Sequence, residues 1–169
     1  AALVLPLFAA GVLPCLGDAN SGGELPAWLC EQVRAGIRAS APAEEAEEAG
    51  AGDDAEARLE AAEEAAEAAR AALWEAARFA CESSEELQRA VVHGAAAALA
   101  SATKPERRGE RFAAVGLLRH TLPTLAPALT FDDEKAETAS ALGLILALAR
   151  DDAAGVRRAA AEALGVAAA

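Results

Sequence analysis

Strand-forming residues are scarce in this sequence. It contains no tyrosine, and aromatic residues make up only 4% of its 169 residues. Aromatic and β-branched residues are the types that favour strands, and no stretch of strand length alternates between apolar and polar residues. Alanine, leucine, glutamate and arginine dominate instead, and all four are strong helix formers. The composition predicts an all-α protein, with a single domain over residues 1–169.

Positive charge is scarce as well. The 15 lysines and arginines stand against 27 aspartates and glutamates, which gives a formal net charge of −12. A phosphate backbone needs a surface rich in lysine and arginine. We therefore expect no nucleic-acid partner and no anionic membrane partner, and the net charge favours solubility.

The start of the sequence has no charged residue over positions 1–16. This apolar run is too short to span a membrane, is interrupted by Pro6, Gly11 and Pro14, and has no basic residues before it. It predicts a buried helix rather than a targeting signal. We therefore expect a soluble, cytoplasmic protein.

Several motifs for cofactors and metals are missing. A zinc site usually needs three or four ligands, and the two histidines and three cysteines lack metal-ligand spacing. No glycine-rich loop followed by Lys-Ser or Lys-Thr is present to bind phosphates. Lys104 and Lys135 both lie in polar segments, whereas a Schiff-base lysine needs burial. We expect no metal site.

The apolar spacing and the helix-start residues predict six or seven helices, arranged as a helical bundle or a short irregular solenoid. Ser83 and Glu86 have the spacing of a capping box, and Thr103 with Glu106 repeats that spacing. Residues 41–53 are acidic and contain glycine, which predicts a mobile connection. The expected helices cover about 2–14, 25–40, 53–81, 84–101, 105–120, 132–149 and 153–166.

The last two predicted helices resemble a HEAT-type repeat over about 30 residues. This resemblance implies a helical solenoid that binds other proteins, although no strict repeat period is present elsewhere. The segments that carry it are Leu144-Ile145-Leu146-Ala147-Leu148-Ala149-Arg150-Asp151-Asp152 and Val156-Arg157-Arg158-Ala159-Ala160-Ala161-Glu162-Ala163-Leu164-Gly165.

The chain also resembles de novo designed, alanine-rich helical proteins. It has no methionine, and nearly every predicted helix begins with a suitable capping residue, a consistency that designers aim for. A natural protein with a bias for arginine over lysine fits the composition equally well. The segment most typical of a design is Ala62-Glu63-Glu64-Ala65-Ala66-Glu67-Ala68-Ala69-Arg70-Ala71-Ala72.

The loop before residue 24 departs from helix-forming rules. Ser21 is followed by two glycines, which let a ligand approach the backbone closely. Free amides at a helix start can hold an oxyanion. Ser21 is therefore a candidate nucleophile, with the amides of Ser21 and Gly22 as the oxyanion hole and Asp18 to orient a histidine. Alternatively, Ser21 is an N-cap paired with Glu24.

The two histidines are the candidate partners of this serine. His93 is followed by Gly94 in the middle of a predicted helix, and His120 follows Gly116 by one turn. Either histidine could act as a general base, or both could bind haem iron in space left by the small residues. Alternatively, His93 packs in or near the core, and His120 interacts with a helix dipole. We expect Trp74, like the other tryptophan, to fill the core.

These patterns favour a serine-hydrolase-like esterase with a small internal pocket, in which Ser21, His93 or His120, and Asp18 act on an ester without a cofactor. The expected partner is a small-molecule ester or another hydrophobic ligand. Two alternatives stay open. One is a haem or small-molecule binding protein that uses His93 and His120. The other is a non-catalytic helical scaffold or HEAT-like interaction module.

Overall fold

The structure is a computed structural model that describes residues 24–42, 53–130 and 140–167. These ranges contain six helices of eight or more residues, one helical turn of four residues and no strand, which confirms the predicted all-α fold. The predicted helix over 2–14 and most of the connection over 41–53 lie outside the described residues. The helices are α1 (Glu24–Ala39), α2 (Asp53–Ser83), α3 (Glu85–Ser101), α4 (Arg108–Thr121), α5 (Pro127–Thr130), α6 (Ala141–Leu148) and α7 (Ala154–Ala167).

Helix α3 begins one residue later than the sequence predicts. Ser84 has an extended backbone, and its hydroxyl oxygen accepts a hydrogen bond of 3.2 Å from the amide of Leu87. Ser83 is the last residue of α2, and its hydroxyl donates to the carbonyl oxygen of Phe79. The predicted capping box of Ser83 and Glu86 is therefore wrong, because the adjacent Ser84 caps the helix and the residue three positions after it, Leu87, has no side-chain acceptor to complete a box.

Two other helix starts also differ from the prediction. Helix α4 is preceded by a 3-10 turn, Pro105–Arg107, and no side chain caps either element, so Thr103 is not the cap. Helix α6 starts only after Ser140, whose hydroxyl oxygen accepts a hydrogen bond from the amide of Gly143. The predicted continuous helix over 132–149 is therefore wrong. Its first part, up to residue 139, lies outside the described residues.

Helices α1, α2 and α3 pack closely because glycines remove side chains at their crossings. A Cβ on Gly94 of α3 would lie 2.7 Å from Cβ of Val33 and 2.8 Å from the carbonyl oxygen of Cys30. A Cβ on Gly36 of α1 would lie 2.8 Å from Cδ1 of Leu73 on α2. Real Cβ atoms are almost never that close to other atoms, so Gly94, which faces a backbone oxygen and a Cβ, needs to be glycine for this packing. At Gly36 the close atom is the end of the Leu73 side chain, which would have to shift to admit a Cβ.

Helix α4 lies at the centre of the bundle. It packs against α1, α2, α3, α6 and α7, and Val115, Leu117 and Leu118 are fully buried. Helix α7 covers one side of α4 and also packs against α6. Among the described helices, α2 is long but charged and α6 is apolar but short, so none meets the requirements of a membrane-spanning helix.

Candidate ligand-binding site

A cavity of about 840 Å³ lies where α2, α4 and α7 meet. Its volume falls within the range of sites that bind small molecules, which is roughly 300–1,000 Å³. Each helix contributes residues three or four positions apart, so they lie on one helix face. The lining residues with a chemical role are Arg70 and Trp74 from α2, Phe112, Gly116, Arg119 and His120 from α4, and Gly155, Arg158, Ala159, Glu162 and Val166 from α7.

The rings of Trp74 and His120 form one wall of the cavity. They are stacked, with ring centroids 5.0 Å apart and planes inclined by 14°. Nε1 of Trp74 and Nε2 of His120 are buried and have no hydrogen-bond partner among the residues that the structure describes. An unpartnered buried polar group costs about 1–3 kcal/mol. These two nitrogens are therefore candidate hydrogen-bonding groups for a ligand.

Gly116 leaves room for the indole ring. A Cβ on Gly116 would lie 3.4 Å from Cζ2 of Trp74, at the near edge of ordinary contact. The space that we expected beside this glycine is taken up by the indole ring of Trp74. Gly116 and His120 are one turn apart on α4, so a single face of this helix supplies both the gap and the stacked ring.

Three arginines line the cavity, one from each helix, namely Arg70, Arg119 and Arg158. Among the described lining residues, Glu162 is the only carboxylate. The three arginines and the glutamate alone leave a surplus of two positive charges in the lining that the structure describes. The chain as a whole carries a formal net charge of −12. The cavity is therefore a locally positive region of an acidic protein, which favours anions at short range.

The three arginines differ in their bonding. Arg119 Nη1 donates to Glu162 Oε2 over 3.0 Å and so links α4 to α7. Arg70 Nη2 donates to the carbonyl oxygen of Ser40 over 3.4 Å, a long and weak hydrogen bond. Arg158 is exposed and forms no ion pair or hydrogen bond with any residue in the described ranges. Its guanidinium donors are therefore available to a ligand.

The entrance of the cavity is partly apolar. Phe112 on α4 is 41% exposed and Val166 on α7 is 40% exposed. They are two of four large hydrophobic residues that are exposed in the described part of the chain. Single exposed hydrophobic residues are ordinary, but these two line the same cavity. The cavity thus combines an apolar entrance, an aromatic wall and positive charge.

A buried ion pair fixes the position of α4 relative to the turn between α6 and α7. Arg111 is only 6% exposed, and its Nε donates to Asp151 Oδ2 over 2.7 Å. Its Nη2 donates to Asp151 Oδ1 and to Asp152 Oδ1, over 3.0 and 2.6 Å. Its Nη1 donates to the carbonyl oxygens of Ala102 and Lys104. The guanidinium is therefore fully satisfied and serves the fold.

The same contacts lower the pKa of the Asp151 carboxyl. Burial alone would raise this pKa, but hydrogen bonds from the Arg111 side chain and from the amide of Ala153 stabilise the charged form and lower the pKa overall. The pKa of Arg111 is raised, chiefly by its hydrogen bond to Asp151. Both shifts favour the ionised pair in the folded state.

The structure places the two predicted histidines differently. His120 lines the cavity, whereas His93 is exposed on α3 and is not among the lining residues. The space that we expected beside His93 is filled, since Gly94 faces Val33 and the carbonyl of Cys30 on α1. Within the described ranges, no group of three His, Cys, Asp or Glu side chains is placed to hold a metal ion.

The predicted serine site lies outside the described residues. Ser21, Gly22 and Asp18 all precede residue 24, where the described part of the chain begins. The geometry of the nucleophile, the oxyanion hole and the orienting carboxylate is therefore untested, and the roles of these residues stay predictions.

Sequence reasoning missed most of the cavity. The sequence predicts that Trp74 fills the core, and the side chain does pack against the core while partly buried, but its place in the cavity wall was not predicted. Arg70, Arg158 and Glu162 were assigned no role in a site. A weak signal was present, because Arg70 and Trp74 are four residues apart and so share one face of α2. Arg158 and Glu162 have the same spacing on α7. These pairs could not be joined into one site without knowing which helix faces meet.

Comparisons of the chain with family models, curated proteins and solved structures give no match. All-α bundles support many unrelated functions, so the fold alone does not identify an activity. The function must therefore be inferred from the site.

Proposed function

We propose that this protein binds a flat, largely hydrophobic small molecule in the cavity between α2, α4 and α7. The observation that carries this proposal is the stacked pair of Trp74 and His120, which presents an aromatic surface along a cavity of about 840 Å³. Rings stack on such a surface with a gain of about 0.5–1.5 kcal/mol beyond simple burial.

The part of the lining that comes from α7 also favours a flat ligand. Helix α7 contributes the small residues Gly155 and Ala159 to the lining. A Cβ on Gly155 would meet no atom of the described residues within 4 Å, so none of them fills the space beside this part of α7. A planar ring system between the aromatic wall and α7 would bury apolar area on both of its faces, at about 25 cal/mol per Å².

Binding of neutral naphthamide tests this proposal. Trp28 lies on α1 and is not among the lining residues, so Trp28→Phe leaves Trp74 as the single tryptophan and fluorescent reporter. We expect saturable quenching of Trp74 emission, together with a binding isotherm in titration calorimetry.

Two glycines on α7 provide a matched pair of variants. Within the described part of the chain, a Cβ on Gly155 or on Gly165 would meet no atom within 4 Å, and of these two glycines Gly155 lines the cavity and Gly165 does not. We expect Gly155→Leu to abolish or strongly weaken naphthamide binding and Gly165→Leu to leave it unchanged. Equal binding by both variants, or no binding to the unmodified cavity, would contradict the proposal.

The serine esterase stays a second proposal, supported by the sequence pattern around Ser21. Of its two predicted histidines, which both lie in the described ranges, His120 lines the cavity and His93 does not. A fluorophosphonate probe should form one adduct, seen by intact mass, and Ser21→Ala should remove it. An adduct of equal yield in that variant would exclude Ser21 as the nucleophile.

Haem binding through both histidines receives less support. A bis-histidine site needs His93 and His120 in one cavity, but His93 is not among the lining residues, and Nε2 of His120 is buried. A Soret band that appears on haem addition and is lost in His93→Ala would reverse this assessment.

A further inference from the structure

We infer that the ligand of this cavity is a planar aromatic anion with two negative charges, either a dicarboxylate or a phosphate monoester. This inference rests on the proposed function and adds the charge of the ligand to it. It is carried by the three arginines that line the cavity, a separate observation from the aromatic wall.

The charge of the cavity indicates a dianion. Arg70, Arg119 and Arg158 together with Glu162 leave two positive charges without a counter-charge among the lining residues that the structure describes. The chain as a whole is strongly acidic, with a formal net charge of −12, and so repels anions. Salt screens this repulsion at distances beyond about 8–10 Å. Attraction must therefore act at contact distance, within the cavity itself.

Arginine suits the ligand that we infer. A planar guanidinium binds carboxylate and phosphate oxygens through two parallel hydrogen bonds and also stacks on aromatic rings. Arg158 is the first candidate for such a contact, because it is exposed and has no partner among the described residues. Arg70 gives only one long hydrogen bond to a carbonyl oxygen, so its remaining donors are available as well.

Glu162 is expected to select for ligand charge. Its carboxylate accepts the hydrogen bond from Arg119 Nη1, and both side chains are about half exposed. An anionic ligand must compete with this carboxylate for Arg119. Relative to the ligand's own attraction to the arginines, this competition weakens the binding of a ligand with one negative charge more than that of a ligand with two. We therefore expect Glu162→Gln to raise the affinity for a monoanion about threefold.

Four naphthalene probes of similar size separate these contributions, namely neutral naphthamide, monoanionic naphthoate, and two dianions, naphthalene dicarboxylate and naphthyl phosphate. We expect naphthoate to bind about tenfold more tightly than naphthamide by titration calorimetry, and at least one dianion to bind more tightly still. Raising the salt concentration should weaken the binding of the anions but not that of naphthamide.

Two exposed arginines allow a matched comparison of variants. Arg158 lines the cavity, whereas Arg150 does not, and neither has a partner in the described ranges. Arg158→Gln should weaken naphthoate and dianion binding about tenfold and naphthamide binding by a much smaller factor, because the side chain lines the cavity but naphthamide has no negative charge to pair with it. Arg150→Gln, which removes the same charge, should change none of them. Circular dichroism melting of both variants checks that they remain folded.

The possible failures can be told apart. If naphthamide binds as tightly as naphthoate and the dianions, the inference of an anionic ligand is overturned while the proposed binding function stands. If both dianions bind no more tightly than naphthoate, the inference that the ligand carries a second negative charge is overturned. If none of the probes binds, both the inference and the proposed function are overturned.

Discussion

The same local pattern, a glycine close to a histidine within a helix, serves opposite purposes in two regions of this protein. On α3, Gly94 lets α1 approach at backbone distance, and His93 is left exposed. On α4, Gly116 makes room for Trp74, which stacks on His120 beside a cavity. One region is closed by packing and the other is kept open. A glycine in a helix therefore indicates close approach, but not whether a helix or a ligand approaches.

The two regions also differ in how they are held together. The contact of α1 with α3 relies on direct packing around Gly94 and Val33. On the cavity side, the start of α4 is joined to the turn before α7 by the buried pair of Arg111 and Asp151. A polar anchor of this kind can fix a helix position without filling the space beside it.

The largest effect is expected from removing that anchor. Arg111→Met leaves the carboxylate of Asp151, whose side chain is 7% exposed, without its main partner. We expect a loss of about 3 kcal/mol in the free energy of unfolding, because an unpaired buried charge is costly. Urea denaturation measures it, with Arg150→Gln as the control, for which a change within about 0.5 kcal/mol is expected. A loss below about 1 kcal/mol for Arg111→Met would show that the pair does not anchor α4.

The same anchor should make stability depend on acidity. The folded-state pKa of Asp151 is lowered relative to the unfolded state, so its contribution is fully present above the unfolded-state pKa, near 3.9. That contribution is lost as the pH falls through the lower folded-state pKa. Asp151→Asn should lower stability at neutral pH and flatten this acid-dependent loss. An unchanged slope of unfolding free energy against pH below about 4 would contradict the account.

A smaller effect is expected at the packed glycine. Gly94→Ala gains about 1 kcal/mol of helix propensity, but its Cβ would overlap Val33 and the carbonyl of Cys30. Overpacking costs about 1–3 kcal/mol, so we expect a net loss of about 1 kcal/mol in thermal or urea unfolding. Gly165→Ala, at a position with nothing within 4 Å, should instead stabilise the protein. If both variants are stabilised, α1 and α3 are less closely packed than described.

Most of the fold could be predicted from the sequence. Helix α1 was expected over 25–40 and runs over Glu24–Ala39, because its apolar spacing and its first-turn proline are strong local signals. Where two candidate capping residues are adjacent, as with Ser83 and Ser84, the sequence does not predict which of them caps the helix. The start of α6 was missed because Ser140 lies inside a segment of good helix formers, and its extended backbone is not encoded by composition.

Less of the candidate site could be predicted. His120 and the space beside Gly116 were identified because both depart from helix-forming preference. Trp74 and Arg158 were not, since a tryptophan and an arginine are ordinary on helices and gain meaning only when α2, α4 and α7 converge. Such long-range convergence depends on helix crossings, which local propensity does not determine.

The central claim is that the cavity side of α4, and not the packed side of α3, binds a flat ligand. Calorimetric titration of naphthoate into His120→Ala and His93→Ala, both checked for folding by circular dichroism, tests this claim most directly. We predict that His120→Ala binds about fivefold more weakly, because half of the stacked wall is removed, and that His93→Ala binds like the unmodified protein. Equal affinity in both variants, or a larger loss in His93→Ala, would contradict the account.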